Sequence, residues 1–167
     1  KYENRGDDDS AAELNHEVAV LSIVLHDDTL FALRSPGSVL FQFEPPETIC
    51  VTLLGTVDGR TMRTSRAEAQ PILTGLRHHF LLFDVRQLQS ITADGRLALV
   101  ERPPPGVSPL RGVAVVGATF QIRTLGTMMA RAAEVLYGHV NNQVRFFDTV
   151  EEARVWLNER RQSLAHE

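Results

Sequence analysis

Phe80-Leu81-Leu82-Phe83-Asp84-Val85-Arg86-Gln87-Leu88-Gln89-Ser90-Ile91-Thr92-Ala93-Asp94-Gly95-Arg96 decides how the rest of this 167-residue chain is read. The stretch starts as a continuous apolar run, too short for an isolated helix and bounded by polar residues. A central parallel strand covered on both faces reads this way. The run ends at Asp84. A short polar segment then offers Ser90 or Thr92 as an N-cap, with Asp94 in the first helical turn. A strand that passes through a polar loop into a helix N-terminus sets exposed groups at the carboxyl end of a sheet. Open α/β sheets carry their sites there.

Downstream, a short helix at about 92–102 is ended by Pro103-Pro104-Pro105-Gly106. Gly112-Val113-Ala114-Val115-Val116-Gly117 repeats the buried-strand pattern. Ile122, Leu125, Met129, Ala132 and Leu136 then recur at helical spacing, with Gly138 placed as the C′ residue. Val144-Arg145-Phe146-Phe147 is a short strand. Asp148-Thr149-Val150-Glu151-Glu152 starts a capped helix whose buried stripe is Ala153, Trp156 and Leu157, with Arg154, Arg160 and Arg161 on the solvent side.

Upstream, residues 59–76 read as a helix that Pro71 should kink or interrupt. Before it, Ile49 to Leu54 forms a strand stopped by Gly55. Val39, Phe41 and Phe43 alternate with polar or outward residues, and Pro45-Pro46 turns the two strands into an antiparallel hairpin. Residues 1–36 fit two descriptions. Ser10-Ala11-Ala12-Glu13 with Leu14, Val18, Leu21 and Leu25 suits a capped helix. The β-branched Val18, Val20, Ile23 and Val24, with Asp27-Asp28 turning into Thr29–Leu33, suits a hairpin. Ser35-Pro36-Gly37 is a break. The division expected is an N-terminal extension over 1–36, a domain over 37–163 and a tail over 164–167. From residue 38 the order β-β-α-β-α-β-α-β-α implies an α/β fold: a mixed, mostly parallel sheet of about five strands with about four helices.

Composition removes several function classes. The net charge is −4, against the basic stripe of a nucleic-acid-binding surface. Lys1 is the only lysine beside sixteen arginines, so a P-loop or a Schiff base has no candidate. Cys50 is the single cysteine, which favours a reducing compartment such as the cytoplasm. No apolar run reaches the roughly 18 residues of a transmembrane helix. His78-His79 are neighbours on a strand and point to opposite faces, so they do not share a metal ion. No Gly-x-Ser-x-Gly elbow supports a hydrolase. No catalytic residue, metal or cofactor is expected.

Four segments in this order resemble the STAS superfamily (sulfate transporter and anti-sigma factor antagonist), in its SpoIIAA-like branch. They are Val51-Thr52-Leu53-Leu54-Gly55-Thr56-Val57-Asp58, Leu81-Leu82-Phe83-Asp84-Val85, Val113-Ala114-Val115-Val116-Gly117 and Phe146-Phe147-Asp148-Thr149-Val150-Glu151-Glu152-Ala153-Arg154-Val155-Trp156-Leu157. The resemblance spans roughly residues 38–162. Anti-sigma factor antagonists carry Asp-Ser-Ser/Thr-Gly at the helix start after the central strand, and a partner kinase phosphorylates the serine. Here the tetrad falls on Thr92-Ala93-Asp94-Gly95, and Ala93 at the acceptor position has no hydroxyl.

The resemblance implies a non-enzymatic regulatory or scaffold module that binds a protein partner through the loop and helix at 86–100, without the usual phosphoserine switch. The residues expected at that surface are Arg86, Ser90, Thr92, Ala93, Asp94 and Arg96, with Asp58 and Asp84 at the strand exits. Asp84 is also expected to fix its loop by accepting backbone amides. Phe120 and Arg123 start the next long helix near the same sheet edge. They frame the alternative reading, a carrier that holds a small apolar or lipid-like ligand between the 86–100 and 121–137 helices. A homodimer is left open.

Overall fold

The computed structural model describes residues 31–34, 39–137 and 143–165. The expectations for residues 1–30, for Ser35-Pro36-Gly37 and for Gly138 lie outside these. Among the described residues six strands and four helices follow one another as β1 (Phe31–Arg34), β2 (Val39–Glu44), β3 (Thr48–Val57), α1 (Gly59–Thr74), β4 (His79–Ile91), α2 (Ala93–Val100), β5 (Leu110–Val116), α3 (Phe120–Tyr137), β6 (Gln143–Phe147) and α4 (Val150–Ala165). The six strands form one sheet in sequential order. β1, β2 and β3 are antiparallel neighbours, and β3 to β6 are parallel. Five strands are those anticipated. The sixth, β1, lies in the span set apart as an extension, yet pairs with β2 from Phe31↔Phe43 to Arg34↔Leu40. At the other end α4 runs through Ala165, and Leu164 packs on the core.

Sequential order decides the layering. Right-handed crossovers that all step the same way across a sheet fall on one face. Accordingly α1 packs on α2, and α2 on α3. Beneath them lie Ile49, Val51, Leu53 and Val57 of β3 and Val85 and Leu88 of β4, with Met62, Ala69 and Leu73 of α1. α4 returns across the opposite face, over β4, β5 and β6. There Phe80, Leu82, Ala114 and Val116 meet Ala153, Trp156 and Leu157. The stripe read from the sequence is thus the one buried.

The arginines of α4 do more than face solvent. Arg154 pairs with Glu44 at 2.5 Å, Arg161 with Glu47 and Thr48, and Arg160 donates to the Arg111 carbonyl. They fasten the helix to the β2–β3 turn and to β5. Burial chiefly, then the neighbouring Glu44 carboxylate, pushes the half-buried Cys50 thiol up to about 12, so it stays protonated.

Two expectations about element ends are corrected. Pro71 does not interrupt α1, which runs on to Thr74 and is capped by Gly75. Gly55 does not stop β3: it sits inside the strand at φ +59°, beside a register shift against β4, and the ladder runs on to Val57. At the far end of β4, His79 is buried, with Nδ1 2.8 Å from the Ser108 hydroxyl. Burial pushes its pKa down to about 4, so the ring is neutral at physiological pH.

Trp156 is 6% exposed, with its ring 5.7 Å from that of Phe147. Trp156→Ala should lower the unfolding free energy by about 3–5 kcal/mol, the usual cost of emptying a buried aromatic site. Chemical denaturation measures it, and an unchanged midpoint would rule out this docking of α4.

Candidate strand-exit surface

β4 is longer than its sequence suggests. It pairs with β3 and β5 on both sides as far as Asp84, then with β3 alone from Gln87↔Leu54 to Ile91↔Val57. The segment 85–91, expected as a loop, is strand. Two register shifts explain why it was not legible. Across them Val85, Leu88 and Ile91 all turn toward the helical layer, at a spacing of three instead of two. Arg86, Gln87, Gln89 and Ser90 remain exposed.

Asp84 does fix local backbone, within the strand. Its Oδ1 accepts the Arg86 N–H at 3.1 Å, and the Arg86 guanidinium closes on the same carboxylate at 2.6 Å. That guanidinium holds the Asp84 carboxyl below its usual range. The Arg86 stem lies over Gly117, at the exit of β5. A Cβ on Gly117 would stand 2.2 Å from Arg86 Cγ, and its φ of +73° also favours glycine.

The exits of β3 and β4 are tied more closely. Asp58 is the N-cap of α1 and accepts the Thr61 N–H at 2.7 Å, which holds its carboxyl below the usual range. Thr92 is the N-cap of α2 and accepts the Gly95 N–H at 3.2 Å. The Thr92 hydroxyl donates to Asp94 Oδ1 at 2.5 Å, and the Thr92 N–H to the Val57 carbonyl at 3.0 Å. Asp94 Oδ2 then accepts the Gly59 N–H, 3.1 Å away in the first turn of α1. The Thr92 hydroxyl chiefly, then Gly59, hold the Asp94 carboxyl below its usual range, so it is ionised at neutral pH. Ser90 places its hydroxyl 3.0 Å from that of Thr56 on β3. Arg96 reaches back to the Ile91 carbonyl at 3.2 Å. One turn further, Arg63 of α1 clasps Glu101 with contacts of 2.5–3.1 Å.

Asp58, Ser90, Thr92, Asp94 and Arg96 are therefore brought together, with Ala93 exposed among them. Asp84 and Arg86 form a second cluster between the β4 and β5 ladders. Phe120 and Arg123 stand at the start of α3, the helix that packs on α2. Phe120 is 84% exposed, while Arg123 donates to the Ala118 carbonyl and pairs with Asp148 at 2.8 Å. Arg123 also lies 5.8 Å above the Phe146 ring, tying the start of α3 to β6. Sequence reading missed two participants. Gly59 supplies the amide that joins α1 to α2, a role the Asp58-Gly59 pair before a helix could have signalled. Leu97 is 63% exposed, one turn beyond Ala93. No sequence motif marked it.

No family model matches the chain, and no curated protein does. The solved structure of the anti-sigma factor antagonist SpoIIAA in its unphosphorylated form is similar at a TM-score of 0.50 and 11% identity, covering 73% of this chain and 98% of its own. An uncharacterized protein with a SpoIIAA-like fold from Shewanella loihica is similar at a TM-score of 0.45 and 17% identity, covering 81% of this chain and 98% of its own. The chain has a SpoIIAA-like fold. No helix among the described residues is long and apolar enough to cross a membrane.

A Cβ on Gly59 would stand 2.7 Å from Asp94 Oδ2 and 2.8 Å from the Asp94 carbonyl oxygen. Gly59→Ala should therefore cost roughly 1–3 kcal/mol, as other overpacked sites do. A thermal-unfolding midpoint that rises instead, as helix propensity alone would give, would contradict this reading of the α1–α2 junction.

Proposed function

We propose that the chain is a non-enzymatic regulatory or scaffold module that binds a protein partner through β4–α2, over residues 86–100, as a constitutive surface. The observation that carries this is the engagement of Thr92. Its hydroxyl caps α2 and donates to Asp94, while the neighbouring acceptor position is Ala93. A phosphate on Thr92 would break the cap and set a dianion beside the carboxylates of Asp58 and Asp94, a like-charge arrangement that the positive end of the helix only partly offsets. Asp94 already provides a fixed negative charge at that end. The fold likeness supports the class of module.

The face offered to the partner centres on Ala93 and Leu97, neighbours one turn apart on the exposed side of α2. Both are accessible without disturbing Thr92, Asp94 or Gly59. Asp94→Arg is a less clean probe, because it also removes the acceptor of the Gly59 amide. Leu97→Asp should leave the unfolding free energy within about 0.5 kcal/mol of the parent, as a surface change does. It should also weaken a stoichiometric partner recovered from the source cells by tenfold or more, the effect of a central interface residue. Quantitative affinity purification with phosphosite mapping checks both halves. Undiminished recovery with Leu97→Asp removes this surface. Stoichiometric phosphate on Thr92 or Ser90 that releases the partner removes its constitutive character.

A further inference from the structure

We propose that the outer edge of β6, with the groove beside it, takes up an extended basic peptide segment by strand addition. β6 is the last strand of the sheet, and among the described residues only β5 pairs with it. The Gly117 N–H donates to the Phe147 carbonyl at 3.0 Å, so Phe147 directs its backbone groups toward β5. Alternation along the strand gives Arg145 the same direction and turns the N–H and C=O of Val144 and Phe146 outward. An outward row of donors and acceptors is a template for another strand.

The side chains beside that edge choose the occupant. Arg145 and Phe147 of β6 and Glu151, Glu152, Val155, Trp156 and Glu159 of α4 line an open groove of about 410 Å³. Its apolar part is the Phe147–Trp156 ring pair with Val155, which is 58% exposed. Arg145 is laid over the Trp156 ring, 5.5 Å from its centroid. Three carboxylates then face the groove against one guanidinium. An added strand directs every second side chain toward α4, at a repeat of roughly 6.5–7 Å. Lysine or arginine at those positions meets Glu151, Glu152 and Glu159, and its aliphatic stem covers the apolar part. The acidic Asp7-Asp8-Asp9 segment of this chain has the wrong charge to fill the site.

Trp156 is the only tryptophan, so its emission reports on this groove directly. The probe is a synthetic eight-residue peptide that alternates lysine and valine, titrated into the full chain at low salt. A saturable change in emission is expected. Glu151→Lys combined with Glu159→Lys should raise Kd tenfold or more at an unchanged unfolding midpoint. N-methylation of alternate peptide amides should abolish binding, because it removes the donors that strand addition needs. No saturable change would overturn the proposal. So would equal binding of the N-methylated peptide, which would mean charge attraction alone. Sedimentation showing that β6 pairs with a second copy of the chain, with the peptide excluded, would overturn it too. Leu97→Asp should leave this titration unchanged, which separates the site from the one on α2.

Discussion

The Asp94 carboxylate, accepting the Gly59 N–H from one side and the Thr92 hydroxyl from the other, joins two helix N-termini across the exits of neighbouring parallel strands. An exit of this kind leaves N–H groups without partners inside their own helix. Asp58 and Thr92 satisfy part of that need locally, and Asp94 satisfies it between helices. Asp94 is well placed for the positive end of α2, yet close enough to Asp58 for the two charges to oppose each other. The Thr61 N–H on Asp58, and the Thr92 hydroxyl and Gly59 N–H on Asp94, keep the two carboxylates ionised side by side.

That junction explains the shape of the central strand. For Thr92 to reach the Val57 carbonyl, β4 must keep pace with β3 past the point where β5 leaves it at Asp84. The two register shifts let it do so while keeping Val85, Leu88 and Ile91 on the covered face. Arg86 and Asp84 stiffen the first irregular step, and Gly117 gives the Arg86 stem room. The outcome is a preformed ledge at the carboxyl edge of the sheet, where parallel α/β folds place their recognition groups.

Much of this was legible in the residues. The β-β-α-β-α-β-α-β-α order, the Pro45-Pro46 hairpin, a cap at Ser90 or Thr92 and the Ala153–Trp156–Leu157 stripe follow from periodicity and capping chemistry, and the structure holds them, with the cap at Thr92. What was hidden has local causes. A strand whose inward residues fall at 85, 88 and 91 breaks the period of two by which strands are recognised. Gly55 reads as a stop because a left-handed residue inside a strand is unusual. β1 was one of two open descriptions, since Phe31–Arg34 is too short for periodicity to arbitrate. The exposure of Leu97 was not legible, because helical pattern gives burial only when the covering element is known. The partners of Arg123, Asp148 and Phe146, come from a segment distant in sequence, which local pattern does not connect to it.

The central claim is that the exits of β3 and β4 form one rigid, preformed surface, without a switch to assemble it. Amide hydrogen exchange of the full chain, read residue by residue by NMR, tests it most directly. The account predicts that the N–H groups of Gly59, Thr92 and Gly95 exchange slowly, with protection approaching that of Val51 and Leu82 in the core strands. Exchange of these three at rates near those of unstructured peptides, while the core strands stay protected, would show a mobile junction and contradict the account.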